Sequence, residues 1–250
     1  MRLRFRLFIV ITLWLASGQI CSAEPNQAYA TPYRELLAKY VAKGAKDGIS
    51  GTLVDYARWQ RDPLHAEAMK HLQQVDVDAL AGKGKMAFWI NAYNLLTVDL
   101  IVQSHETQSI KNLGTLLKNP WKSHRWELDG REYTLDEIEH KILRPMGDPR
   151  IHTAINCASL SCPDLRSEPY DAETLEHQLE EQLESFINNP AKGARVAGSG
   201  LEVSMIFKWF AEDFGGERGI ADLIRKHVKT PVESVKIEGY LDYHWNLNSK

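Results

Sequence analysis

The chain has 250 residues, is 44% hydrophobic and 25% charged, and carries 30 Lys+Arg against 33 Asp+Glu for a net charge of −3. A mildly acidic chain of mixed charge lacks the basic face that a phosphate backbone needs, so no nucleic acid partner is expected. Cysteine is scarce, with three in the whole chain.

At the N-terminus, MRLRFR supplies Arg2, Arg4 and Arg6, and LFIVITLWLASG supplies an apolar run that is short for a membrane span. Cys21-Ser22-Ala23 follows as a small-x-small site, so residues 1–23 read as a signal peptide cut after Ala23. An uncleaved anchor is the alternative. A lipid anchor on Cys21 fits less well, because Gln19 and Ile20 stand where small residues are wanted. Cleavage removes three arginines, taking Lys+Arg from 30 to 27 and the net charge from −3 to −6. No later stretch approaches the roughly 18 apolar residues of a membrane helix. The expectation is an exported, soluble, periplasmic chain with no membrane span after cleavage. Cys157 and Cys162 are then the remaining cysteines, and in an oxidising compartment a disulfide is the default reading of such a pair.

Thr31-Pro32 reads as an N-cap and first turn, with YRELLAKYVAK continuing as a helix that Gly44 and Gly48 end. Residues 50–80 read as short helices, among them PLHAEAMKHLQQV. Lys85–His105 is apolar nearly all round and predicts the central buried helix. In HRWELDGREYTL, Asp129-Gly130 between two alternating runs predicts a hairpin. Thr134 and Glu137 form a capping-box pattern that opens the helix LDEIEHKILR. Asp148-Pro149 starts a further turn, so RIHTAINCA reads as helix, with a strand as the runner-up. DAETLEHQLEEQLESFINN is an amphipathic helix. RVAGSGLEVS is a second hairpin, with Gly198 and Gly200 in its turn. Ser204 caps MIFKWFAEDFG, in which Trp209, Phe210 and Phe214 read as core. GIADLIRKHV is a helix, and VKIEGYLDYHWNLN is strand-like, with Tyr243 and Trp245 packing the last strand. The sum is an α+β fold: a predominantly helical single domain with two or three hairpins.

Five segments carry a resemblance: AFWINAYNLL (87–96), LDEIEHKILR (135–144), DPRIHTAINCASLSCPDLR (148–166), IFKWFAEDFG (206–215) and YHWNLN (243–248). In this order and spacing they resemble the family catalogued as domain of unknown function 547, from about residue 80 to the C-terminus. The resemblance implies a shared fold and no established activity. The family's tail often reads Tyr-Asp-Trp, whereas His244 precedes Trp245 here, which speaks against a general catalytic role for His244. The chain thus divides into residues 1–23 as signal, 24–80 as a helical extension and 81–250 as the domain.

The chemistry concentrates in RIHTAINCASLSCPDLR. Pro163 pushes Cys162 out of the α region, so a helix from Arg150 must stop before it. Residues five apart on a continuous helix lie about 8–9 Å apart, too far for a disulfide, so a Cys157–Cys162 bridge requires the chain to turn back. A second reading makes Cys157 a nucleophile, with His152 or His140 as base and Asn91 or Asn94 as orienter or oxyanion donor. On a continuous helix His152 would face Asn156 rather than Cys157, which favours His140. Such a Cys-His-Asn set is papain-like or transglutaminase-like by analogy alone. A third reading takes His140, His152, Cys157 and Cys162 as zinc ligands, but their spacing matches no knuckle, and neither a metal nor a cofactor is expected. Glu139, Arg144, Arg150 and Asn156 are candidate binding residues, the arginines for a carboxylate or phosphate. Asn91 and Asn94, set among aromatics, must be hydrogen-bonded, and holding loop backbone is their simpler role. Two function classes result. One is a binding or structural module whose bridge shapes a polar cleft for a small molecule, peptide or protein. The other is a cysteine-dependent hydrolase or acyl transferase.

Overall fold

A computed structural model describes residues 27–115, 118–230 and 235–250. The leader-like segment lies outside them. The architecture is the expected α+β, mostly helical, with small sheets of two or three strands. Its axis is α4 (Gly82–Ser104), whose residues from Ala87 to Val102 are all buried. A helix apolar on every face can only sit inside a core, and α4 is the centre of the larger of two cores.

The N-terminal helix α1 (Ala30–Tyr40) stops sooner than the sequence suggested. Val41 is extended, and the chain runs into an antiparallel hairpin, β1 (Val41–Lys46) and β2 (Ile49–Val54). Thr31 is not the cap. Tyr29 occupies that position, without a side-chain cap bond. The turn is Asp47-Gly48, both at positive φ (51° and 77°), which is the backbone an Asp-Gly two-residue turn provides. The same device recurs at Asp129-Gly130 (52° and 68°) between β3 (Trp126–Leu128) and β4 (Arg131–Tyr133). Helices α2 (Tyr56–Trp59), α3 (Leu64–Gln73) and α5 (Pro120–Ser123) complete this half. Tyr29 through Val77 contribute to the same core as α4.

The Thr134 capping box is present, and α6 (Leu135–Glu137) leads into a widened π turn over Ile138–Leu143 and a 3₁₀ turn over Arg144–Met146. Pro145 accounts for the widening, since its ring clashes with the carbonyl four residues back and it offers no N–H. The Arg144 N–H accordingly bonds Glu139 O, five residues back. Helix α7 (Ile151–Ala154) is a single turn, and Ile155 is already extended. The helix expected to run through Cys157 therefore ends three residues before it. Asn94 is the cause: its side chain accepts from Asn156 N–H (2.7 Å) and donates to Ala154 O (3.0 Å), pairing groups a longer helix would have used.

Helix α8 (Leu175–Ile187) joins two cores. Leu175 and Leu179 face the large one, while Leu183, Phe186 and Ile187 face a smaller one. The smaller core lies beneath a three-stranded sheet of β5 (Ala194–Ala197), β6 (Gly200–Val203) and β7 (Ile237–Tyr240), with helices α9 (Met205–Trp209) and α10 (Gly216–His227). Strands β5 and β6 form the expected hairpin, whereas β7 joins β6 in parallel. The final residues then cross back between the cysteine loop and β2: Leu160 N–H donates to Asn246 O (2.8 Å), Asn248 N–H to Ala158 O (3.0 Å) and Val54 N–H to Asn248 O (2.8 Å). That return places Tyr243 and Trp245 beside the π turn. Among the described residues no helix is long and apolar enough to cross a membrane.

Candidate functional site

A cleft of about 270 Å³ opens where α4, the π turn, the cysteine loop, α9 and the tail converge. Its walls are aromatic: Tyr93, Trp121, Trp209, Phe210, Tyr243 and Trp245. Trp209 is 43% exposed, so it is a wall of this cleft and not the core residue its spacing suggested. Tyr243 and Trp245 lie against Trp209, at 4.8 and 5.8 Å between ring centroids. They too belong to the cleft and lie beyond the last strand, which ends at Tyr240.

Three side chains form a chain that reaches the cleft through His152. Asp213 accepts from Arg144 through both oxygens, Nε at 2.6 Å and Nη2 at 2.8 Å. The same Oδ2 lies 2.7 Å from His152 Nε2. The Arg144 guanidinium first, and His152 with it, holds the Asp213 carboxyl down at about 2 despite partial burial. Asp213 is therefore an acceptor only, and the proton between it and His152 sits on Nε2. Burial pushes His152 down to about 4, against the pull of Asp213, so the imidazole is neutral and Nδ1 carries a bare lone pair. The ring is clamped face to face on Phe210, with centroids 3.8 Å apart and planes at 17°. Nδ1 is buried and has no hydrogen-bond partner. The nearest carboxyl is Glu139, whose Oε1 lies 3.9 Å away.

Glu139 sits on the π turn with its side chain 12% exposed. Burial pushes its carboxyl up to about 7, and the nearby negative Asp136 and Asp213 add to the rise. Tyr93 Oη, 3.4 Å from Oε2, works the other way. An acceptor nitrogen 3.9 Å from a buried carboxyl favours the protonated acid, and Glu139 is placed to carry that proton up to about pH 7.

One wall is the Cys157–Cys162 disulfide, with Cα atoms 6.1 Å apart. The bridge leaves no thiolate, and this corrects the nucleophile and zinc readings of Cys157 with His140 or His152. The Cys-His-Asn set is not assembled. Asn91 spends its amide on Tyr170 O (2.7 Å) and Tyr170 N–H (2.8 Å), and Asn94 spends its own on Ala154 and Asn156. Asn156 donates to Pro163 O (2.6 Å) and accepts from Ala158 N–H (2.9 Å), and so folds the loop instead of facing a ligand. His140 lies on the rim, taking a hydrogen bond from Arg144 at 3.2 Å, and burial lowers its pKa. Arg150 is outside the cleft, engaged by Asp148 and Glu176. Of the candidate residues, the cleft thus gathers Glu139, His140, His152, Cys157 and Cys162, with Arg144 behind Asp213. Sequence reasoning missed Asp213, and its one signal was an acid between Phe210 and Phe214 in an aromatic run. Among the described residues there is no group of three or more metal-ligating side chains.

A cleft built on segments of α4, the EIEH turn and the cysteine loop is built on the stretches that carried the resemblance. Residues 77–187 match the family described as "Protein of unknown function, DUF547", which supports assigning that segment to the family. Asp213, Tyr243 and Trp245 come from beyond the matched residues. Neither the curated proteins nor the solved structures yield a match.

Proposed function

We propose that the chain binds a small molecule in this cleft and cleaves it by direct attack of water, with Glu139 as the general acid–base. The observation that carries this is the bare, clamped His152 Nδ1 lying 3.9 Å from a carboxyl poised near 7. A proton donor–acceptor is most effective when its pKa lies near the working pH, and perturbed groups of this kind concentrate at functional sites. Ionised Glu139 takes a proton from the attacking water and returns it to the leaving group. His152 is a positioning residue, since its buried Nδ1 reaches the ligand only through Glu139. Water is the nucleophile because the two cysteines are bridged and Ser159 is 1% exposed.

The wall residues include no lysine or arginine among those described, while Asp136 and Glu139 face in. That favours a neutral or cationic ligand with a flat face to lay on the tryptophans. The bridge shapes one wall. The leader-like residues 1–23 and the bridged pair both support export as the setting.

The experiment is a panel of nitrophenyl esters, amides and glycosides, assayed with the wild type and Glu139→Gln. The expected result is turnover of at least one class, rising with pH through about 7 and falling by roughly 10²–10⁴-fold in Glu139→Gln. Turnover indifferent to Glu139→Gln would overturn the assignment.

A further inference from the structure

Two features of the disulfide are unlike those of a plain staple. The first is its surroundings. Cys157 is partly exposed on the cleft wall, whereas Cys162 is buried at 4%. Polar donors converge on the sulfurs. Cys157 N–H donates to Cys162 Sγ at 2.9 Å, and the Tyr243 hydroxyl donates to the same sulfur at 3.4 Å. Ser159 Oγ lies 3.1 Å from Cys157 Sγ and donates to the Tyr243 hydroxyl at 3.2 Å, completing a small hydroxyl network. A neutral disulfide gains little from such donors, whereas a thiolate gains much.

The second feature is redundancy. The loop around the bridge is already fastened by Asn156 to Pro163 O (2.6 Å), by Leu160 N–H to Asn246 O (2.8 Å) and by His244 N–H to Ser161 Oγ (2.9 Å). A cross-link closing so short a loop adds little to stability. The loop can keep its shape with the bridge open.

We propose that Cys157–Cys162 is a thiol-exchange site for a low-molecular-weight thiol that enters the cleft. The thiolate of the small molecule attacks Cys157 Sγ, the sulfur on the exposed side. A mixed disulfide forms at Cys157 as the Cys157–Cys162 bond breaks, and the electron pair leaves on Cys162 as a thiolate held by Cys157 N–H and Tyr243. A second molecule of the same thiol attacks the mixed disulfide at the small molecule's sulfur. It departs as the oxidised dimer and leaves the Cys157 thiolate, and the two protons released by the thiols neutralise the pair. Two thiols become one small disulfide, and the protein disulfide becomes a dithiol. The reverse sequence oxidises the pair.

The test uses the folded full chain and cysteamine, a cationic thiol suited to the acidic cleft, as the probe. The native protein is equilibrated in buffers of varied cysteamine-to-cystamine ratio, quenched with iodoacetamide and weighed intact. The site predicts reversible interconversion of bridged and dithiol forms without denaturant, and a Cys162→Ser variant that gathers one cysteamine on Cys157. Tyr243→Phe should slow native reduction at least about tenfold, as loss of a hydrogen bond to the leaving thiolate requires. Should Cys162→Ser fail to fold, the wild-type reduction rate against that of Tyr243→Phe decides alone. A bridge that cysteamine opens only in denaturant, or equal rates for the two proteins, would overturn the proposal. The readout is mass, so it is independent of any hydrolysis by Glu139.

Discussion

Among the described residues, two buried histidines each pair with an aspartate, and the two pairs differ in one nitrogen. His65 Nε2 meets Asp99 Oδ1 at 2.8 Å, Trp126 Nε1 donates to Asp99 Oδ2 at 2.7 Å, and Trp59 Nε1 donates to His65 Nδ1 at 3.0 Å. Since Nδ1 accepts, Nε2 must carry the proton, and every polar atom of the ring is spoken for. Burial alone would raise Asp99, but the bonds from His65 and Trp126 bring it below the ordinary value. His152 and Asp213 repeat the bond at 2.7 Å, yet His152 Nδ1 has no partner and faces Glu139. The first pair is closed and ties α3 to α4. The second is open toward a cleft. A His–Asp contact by itself says nothing about function; the state of the other nitrogen decides.

The largest effect that would break this comparison lies in the closed pair. Asp99→Ala strands the donors of His65 and Trp126 in the core, and denaturant unfolding should show a loss of about 3–5 kcal/mol. His152→Gln, by contrast, should cost far less stability while reducing Glu139-dependent turnover. Equal losses of stability would erase the distinction.

Next is Glu139→Gln. The folded state raises the Glu139 carboxyl from 4.5 to about 7, so the stability it contributes is fully present below about 4.5 and is lost as pH rises through about 7. Glutamine stays neutral and loses nothing. Urea midpoints should therefore show the variant gaining on the wild type between pH 5 and pH 9, by about 3 kcal/mol at most. No change in their difference across that range would count against a buried, neutral Glu139.

A smaller effect sharpens the same point. Asp213→Asn removes a negative charge near Glu139 and frees Arg144, and both changes lower the Glu139 titration point. Asp99→Asn, outside the cleft, should leave it in place. Carboxyl carbon NMR on the two variants separates them.

The smallest concerns the cysteine loop. Ala158 is buried at a φ of 63°, a left-handed backbone that a side chain resists. Ala158→Gly should raise stability by roughly 0.5–1 kcal/mol, read from the thermal midpoint. A loss would mean that packing of the methyl outweighs the strain.

What the sequence revealed was local. The all-round apolar run of α4, the Thr134–Glu137 box and the Asp129-Gly130 turn each depend on residues a few positions apart. The identical Asp47-Gly48 turn was overlooked because helical spacing through Tyr40 was carried on to Gly44, where pairing with β2 takes over. The Cys157–Cys162 bridge was one of three readings the sequence left open, with Pro163 supplying the break it needs. The Asp213 partner and the tail's share of the cleft were not legible, because His152 and Asp213 are 61 residues apart, and Cys157 and Tyr243 86. Trp209, Tyr243 and Trp245 have the same composition in a core as in a wall, and only the return of the tail along the cysteine loop assigns them to the wall.

The most direct measurement is the pH titration of the Glu139 side-chain carboxyl by ¹³C NMR, assigned through Glu139→Gln. The account predicts a midpoint near 7, with His152 neutral and protonated at Nε2 throughout that transition. A midpoint near the ordinary 4.5 would mean a solvated carboxylate beside a structural histidine, and the acid–base reading of the cleft would be wrong.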